Sequence, residues 1–144
     1  MLLATAAAVA ALTLSAPQPT TLITAYAASL QESEVLLSGT FEGREGKRGQ
    51  GTARIVREGE RMFLEFEGFR TSRGPQLEVW ITDRTVRRNE DVKGSGYVDL
   101  GDLESHRRGT QRYELPEGFD LSSAASVTIW CEPFEILFAS ADLS

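Results

Sequence analysis

The segment RMFLEFE, Arg61–Glu67, decides the fold because apolar and polar side chains alternate along it. The side chains that share one face are apolar: Met62, Leu64 and Phe66. Phe63 and Glu65 fall on the opposite face, and Glu67 continues that polar face. A period of two residues is typical of a half-buried β-strand. The segment therefore predicts a strand with one face in the core.

The segment QLEVWIT, Gln76–Thr82, repeats this pattern further along the chain. Its inward-facing residues are predicted to be Leu77, Val79 and Ile81, whereas Glu78 and Thr82 should face outward. Gly74 and Pro75 directly precede it. Because proline fixes its own φ and restricts the residue before it, this pair is predicted to set the start of the strand.

Six further segments are predicted strands: Val35–Phe41, Gly51–Arg57, Gly96–Leu100, Gln111–Leu115, Ser126–Cys131 and Phe134–Ala141. Glu58–Glu60 reads as a tight hairpin turn, and Asp120–Ala125 as one helical turn. No longer helical stripe occurs after the N-terminal region. About eight strands of this length predict an all-β, antiparallel sandwich or barrel-like domain.

Composition excludes several classes of protein. The 144 residues suit one domain, and a net charge of −6 without a basic block argues against a nucleic-acid surface. One cysteine and one histidine exclude a disulfide framework, a zinc finger and a His- or thiolate-rich metal cage. We therefore expect no structural metal site.

The N-terminal region has the composition of an export signal. No charged residue occurs in Met1–Gln31, and Met1–Ala16 is apolar. Ala25-Tyr26-Ala27 supplies a small-x-small cleavage pattern, which predicts a signal peptide over residues 1–27. The competing interpretation is an uncleaved anchor, which Pro17 and Pro19 disfavour because they interrupt the apolar run early.

The predicted organisation is then a signal peptide, a short lead-in over residues 28–36 and a β-domain over residues 37–144. Export would make the protein secreted, periplasmic or located at the cell surface. Peripheral membrane contact stays open at this point.

Several motifs that could suggest catalysis do not support it. The glycine-rich stretch Gly43–Gly51 lacks the spacing of a phosphate-binding loop and is interpreted as a strand connection. His106 is interpreted as a loop residue, because no G-x-S-x-G nucleophile motif accompanies it. The carboxylates that could form a hydrolytic pair fall on predicted solvated strand faces: Glu65, Glu67 and Glu78.

Cys131 is the residue with two open interpretations. Val127, Ile129 and Cys131 share one strand face, with Thr128 and Trp130 on the other. Pro133 follows closely, which predicts that the thiol sits near a sheet edge. Cys131 is either a buried small hydrophobe or a reactive thiol. The reactive thiol would need its pKa lowered from about 8.5 by a nearby cation or metal.

A longer stretch of the chain, Phe66–Trp80, carries the run FEGFRTSRGPQLEVW, and further blocks follow it in order. Those blocks are Leu100–Leu103, Gly109–Pro116, Ser126–Cys131 and Phe134–Ala141. Together they resemble the DM-thirteen domain, an electron-transfer domain family, over about Leu37–Leu143. The resemblance implies an exported β-sandwich-like domain, found in animals beside haem-binding DOMON domains.

The resemblance also implies a site. Cys131 falls on the family's characteristic cysteine, proposed to act as a bare thiol or as a haem ligand, with Trp130 beside it. Lys47 stands where many members carry a histidine, and a lysine ligates metal only after losing a proton with a reference pKa of about 10.4. We expect Lys47, Arg48 or Arg107 to lie near the thiol.

Two functions follow from this resemblance. The first is an exported electron-transfer or thiol-redox accessory domain that uses Cys131 with a redox or protein partner. The alternative is an extracytoplasmic binding or scaffolding module in which Cys131 only packs.

Overall fold

The computed structural model describes Thr13, Ser15 and residues 33–144, so the predicted signal peptide and its cleavage site lie outside the described residues. Eight strands form the domain: β1 Glu34–Gly43, β2 Gly49–Glu58, β3 Arg61–Thr71, β4 Leu77–Thr82, β5 Tyr97–Asp102, β6 Gln111–Glu114, β7 Ser126–Cys131 and β8 Ile136–Asp142. The helical elements of this part of the chain are short: α1 Asn89–Lys93 and a 3-10 turn at Leu121–Ser123.

All eight strands belong to one antiparallel sheet in the order β5-β4-β7-β8-β1-β2-β3-β6. The long strand β1 joins its two halves, since residues Glu34–Thr40 pair with β2 and residues Phe41–Gly43 pair with β8. The sheet curls into a nearly closed barrel-like shape, which confirms the all-β prediction. Each predicted strand is present with ends shifted by at most a few residues, and the predicted helical turn is the 3-10 turn.

The core fills the interior of this curled sheet. Leu64 and Phe66 of β3 are almost fully buried, as the alternation predicted. Phe66 packs with Phe41 and Phe69 through ring centroids 4.8 to 4.9 Å apart. The hairpin predicted at Glu58–Glu60 joins β2 to β3, where Gly59 adopts φ 61°, a left-handed conformation that costs glycine least.

The outer face of β4 differs from the prediction. Thr82 was expected to face solvent, yet it is 0% exposed. The segment after β4 folds back over this face, and Val86 and Val92 pack there against Trp80. Strands β4 and β7 are therefore buried on both faces, and the polar residue at position 82 bonds to the carbonyl of Arg84.

The helix α1 within that segment was not predicted. Its five residues are too few to display an apolar stripe, and Val92 alone of them is buried. In the described part of the chain, no helix has the length and apolar character needed to cross a membrane.

Candidate functional site

Cys131 ends β7 and is completely buried. It pairs with Leu77 of β4 on one side and Ile136 of β8 on the other. The prediction that the thiol sits near a sheet edge is therefore wrong, because β7 is an internal strand. Pro133 follows the strand end instead, where the chain turns toward β8. The Sγ of Cys131 donates a hydrogen bond to the carbonyl oxygen of Pro75 at 3.1 Å.

The segment Ser72–Gln76, called the cover segment below, contacts the sulfur through the Pro75 carbonyl. Pro75 and Gln76 are exposed, so no further layer of protein lies over them. Gln76 has φ 45°, a left-handed conformation that costs a non-glycine residue roughly 1 kcal/mol or more. A cavity of about 380 Å³ borders this segment at Gly74 and Gln76. The residue that accepts the thiol hydrogen bond is thus exposed, and it stands next to a residue with a strained backbone.

Lys47 lies over the aromatic ring of Phe138. Its Nζ lies 5.2 Å from the centroid of the Phe138 ring, a cation–π distance. Phe138 in turn fills the space beside Gly74, where any Cβ would lie 2.7 Å from its Cζ atom. The hydrogen bond described for the Cys131 thiol goes to a backbone carbonyl and involves none of the three predicted cations.

Trp130, the predicted neighbour of Cys131, lies on the opposite face of the sheet. It packs against Trp80 with ring centroids 5.7 Å apart, and Trp80 stacks on the exposed Tyr97 at 3.9 Å. The indole of Trp80 donates to the Glu78 carboxylate at 2.9 Å. Desolvation raises the pKa of Glu78, and that hydrogen bond opposes the rise. The sheet backbone therefore separates these aromatic rings from the thiol.

The other two carboxylates considered for hydrolysis are held in ion pairs. Arg54 contacts Glu65 at 3.7 Å and Glu67 at 3.1 Å, and Arg112 also contacts Glu65 at 3.5 Å. A hydrolytic pair gains no support from this geometry.

A second cavity, of about 540 Å³, carries a concentration of basic side chains that the sequence did not reveal. Its arginines are Arg48, Arg70, Arg73 and Arg107. His106 borders this cavity and also the cavity beside Gly74. These residues are far apart in the chain, and only the pairing of β2 with β3 and the loop before β6 bring them together. No local motif signals such a cluster.

The surroundings of Cys131 do not fit a haem ligated by its sulfur. An axial ligand must face a space wide enough for the porphyrin, whereas this Sγ faces the Pro75 carbonyl and is 0% exposed. Lys47, at the position of the family's histidine, is occupied with the Phe138 ring. The described residues also contain no group of three or more His, Cys, Asp or Glu side chains that could hold a metal ion.

Comparison with known proteins gives one finding. The family described as Electron transfer DM13 matches residues 40–143, which is most of the chain and contains Cys131, the cover segment and both cavities. No curated protein and no solved structure matches the chain. Because the match covers most of the chain, this protein belongs to the DM13 electron-transfer domain family.

Proposed function

We propose that the protein is an exported thiol-redox domain in which Cys131 exchanges electrons when the segment Ser72–Gln76 opens. Membership in an electron-transfer family supports the redox character. The observation that carries the proposal is the hydrogen bond from Sγ to the Pro75 carbonyl, because it joins the buried thiol to an exposed segment of the chain.

The chemistry is thiol–disulfide exchange with a disulfide-bearing partner. Cys131 loses its proton to solvent, and the thiolate attacks one sulfur of the partner's disulfide. A new S–S bond forms as the old one breaks, so the Cys131 sulfur is oxidised and the leaving sulfur is reduced and protonated. A second thiol then releases Cys131 by the same exchange.

The cover segment has features that lower the free energy of opening. Gln76 leaves its left-handed conformation when the segment moves, which releases backbone strain. Few hydrogen bonds hold the segment, among them the bond from the Arg48 amide to the Ser72 hydroxyl at 2.9 Å. The amide of Glu132 bonds to the Gln76 carbonyl at 3.3 Å, which is long. Local opening at a free energy below that of global unfolding is therefore expected.

The test is the rate at which a neutral disulfide reagent labels Cys131, measured against urea concentration. This chain has a single cysteine, so the signal is unambiguous. If the segment opens locally, labelling at low urea is faster than global unfolding allows and depends weakly on urea. Labelling that follows the global unfolding free energy at every urea concentration would contradict the proposal.

A matched pair of variants sharpens this result. Ser72→Ala removes the hydroxyl that accepts from the Arg48 amide beside the cover segment. Ser95→Ala removes a comparable bond to the Val92 carbonyl, at the end of α1. We expect faster labelling in Ser72→Ala and unchanged labelling in Ser95→Ala when both are compared at equal global stability.

The alternative function, a binding or scaffolding module with a structural cysteine, is favoured by the complete burial of Cys131. Under it, Cys131 resists labelling until global unfolding, and Cys131→Ala costs only packing stability. The same labelling experiment thus distinguishes the two functions.

Export is a separate part of the proposal, supported by the uncharged residues 1–31 and the Ala25-Tyr26-Ala27 pattern. Mass spectrometry of protein recovered outside the cytoplasm should find Ala28 at the N-terminus. A membrane-bound chain that retains Met1 would contradict cleavage after Ala27.

A further inference from the structure

The basic cavity differs from the rest of the surface in how its charges are compensated. Nine of the fifteen Lys and Arg side chains lie within 4.0 Å of a described carboxylate. The remaining six are Lys47, Arg48, Arg70, Arg73, Arg88 and Arg107. Four of these six, all arginines, line the one cavity of about 540 Å³. These four side chains are exposed, so water and salt screen their mutual repulsion, and an anion bound among them would offset what remains.

The backbone that carries these arginines is held by hydrogen bonds from two buried residues, Thr71 and Gln111. Thr71 is almost fully buried, its amide donates to the His106 carbonyl at 3.0 Å, and its hydroxyl donates to the Arg48 carbonyl at 2.8 Å. The buried side chain of Gln111 donates to the carbonyls of Ser105 and Arg108 at 2.7 Å each. The three chain segments around the cavity are therefore tied together before any ligand arrives.

The lining defines the chemical class of the ligand. An arginine fork bonds bidentately to phosphate and carboxylate groups, and four of them suit a ligand with several such groups. Gln50, Thr71 and Ser72 add polar atoms, and His106 adds an imidazole that can bond to an anion, whereas no Phe, Tyr or Trp is among the lining residues. A cavity of about 540 Å³ lies in the range of small-molecule sites, about 300–1,000 Å³.

We propose that this cavity binds a small anion that carries two or more oxyanion groups, held by Arg48, Arg70, Arg73 and Arg107. The site is distinct from the thiol, since Cys131 does not line it, but the two share the chain segment that contains Ser72 and Arg73. Phosphate and carboxylate groups share the recognition chemistry, so both sources are compared in the test.

The experiment titrates the full protein at low ionic strength with inorganic tripolyphosphate, citrate and monophosphate. Binding is followed by calorimetry and by the NMR signals of His106, which is the one histidine of the chain. We expect saturable binding of tripolyphosphate or citrate that shifts the His106 signals, with monophosphate at least about tenfold weaker. The stronger of the first two assigns the group as phosphate or carboxylate.

Arg73→Gln and Arg107→Gln should each weaken binding by roughly tenfold, because each removes a charge-assisted, fork-type contact. Arg88→Gln is the matched control: it removes the same charge from an exposed arginine that does not line the cavity. A thermal unfolding curve for each variant establishes that it is folded.

Three outcomes would overturn the proposal. The first is no saturable binding of tripolyphosphate or citrate at millimolar concentration. The second is equal weakening by Arg88→Gln and Arg73→Gln, which would show only a general effect of net charge. The third is binding of a long polyanion such as heparin, lost in Arg73→Gln, without binding of either small anion.

Discussion

Gly74 offers a direct test of how tightly the cover segment is packed against the barrel. Its φ lies outside the left-handed region, so the backbone itself tolerates a side chain. A Cβ at this position would nevertheless lie 2.7 Å from Cζ and 2.8 Å from Cε2 of Phe138, and 3.1 Å from Cδ2 of Leu77. Phe138 is buried and cannot swing into solvent. Gly74→Ala should therefore destabilise the fold by about 1–3 kcal/mol, the usual range for overpacking, and Gly74→Val by more.

The assay is urea unfolding, in which we expect a lower midpoint with an unchanged slope. Gly94→Ala is the control, because its φ is −91° and its added Cβ would meet its nearest neighbour at 3.5 Å. Phe138→Leu removes the two ring atoms that clash, so the double variant with Gly74→Ala should be more stable than additivity predicts by about 1 kcal/mol. Strict additivity would refute the steric explanation. Loss of redox activity in Gly74→Ala at unchanged stability would instead place the segment in the reactive site.

Two further predictions concern the buried polar network behind the basic cavity. Desolvation raises the pKa of Tyr113 to about 12, so the unfolded chain loses this proton near pH 10 while the folded protein still holds it. The free energy of unfolding should therefore fall as the pH rises from 10 to 12, by about 1.36 kcal/mol per pH unit and at most about 2.7 kcal/mol. In Tyr113→Phe, unfolding free energies measured at alkaline pH should not show this fall. The control Tyr97→Phe, which alters an exposed ring, should still show it. Equal pH dependence in the two variants would show that Tyr113 is not the group responsible. Gln111→Met keeps the side-chain volume but removes the amide that bonds to Ser105, Arg108 and Tyr113. The free energy of unfolding should therefore drop by about 2–4 kcal/mol, and the Ser105 amide hydrogen should exchange faster. A drop below about 0.5 kcal/mol would show that the network is dispensable.

The strands were predictable because each displays its burial pattern locally. In β3, Leu64 and Phe66 are buried and Glu67 is exposed, as the alternation requires. In β4 the same reasoning placed Thr82 in solvent and was wrong. Burial of its second face depends on Val86 and Val92, which reach it only after the chain folds back. Alternation within a strand carries no information about what covers its outer face.

The candidate site was predictable only in part for a related reason. The resemblance singled out Cys131, and the alternation correctly placed it with Val127 and Ile129 in the core. Its position on an internal strand depends on β8 pairing beyond it, which no local pattern specifies. The arginine cluster was missed because Arg48 and Arg107 are distant in sequence, and their proximity arises from strand register and loop geometry.

One segment links the two sites. Thr71–Arg73 form part of the wall of the basic cavity, and Gly74 and Gln76, on either side of the Pro75 that bonds to the thiol, border the neighbouring cavity. Under the two proposals, an anion held by Arg73 would favour the closed position of this segment, because opening the segment to expose Cys131 would move Arg73 as well. Linkage requires that a ligand which binds the closed form better also opposes opening.

If both proposals hold, saturating tripolyphosphate should slow native-state labelling of Cys131 by the ratio of its affinities for the closed and open forms. The expected slowing is about fivefold or more, the lower end of ordinary coupling between sites. It should disappear in Arg73→Gln and persist in Arg88→Gln. Unchanged labelling, in protein whose His106 signals demonstrate bound anion, would show that opening of the cover leaves Arg73 in place and that the two sites act separately.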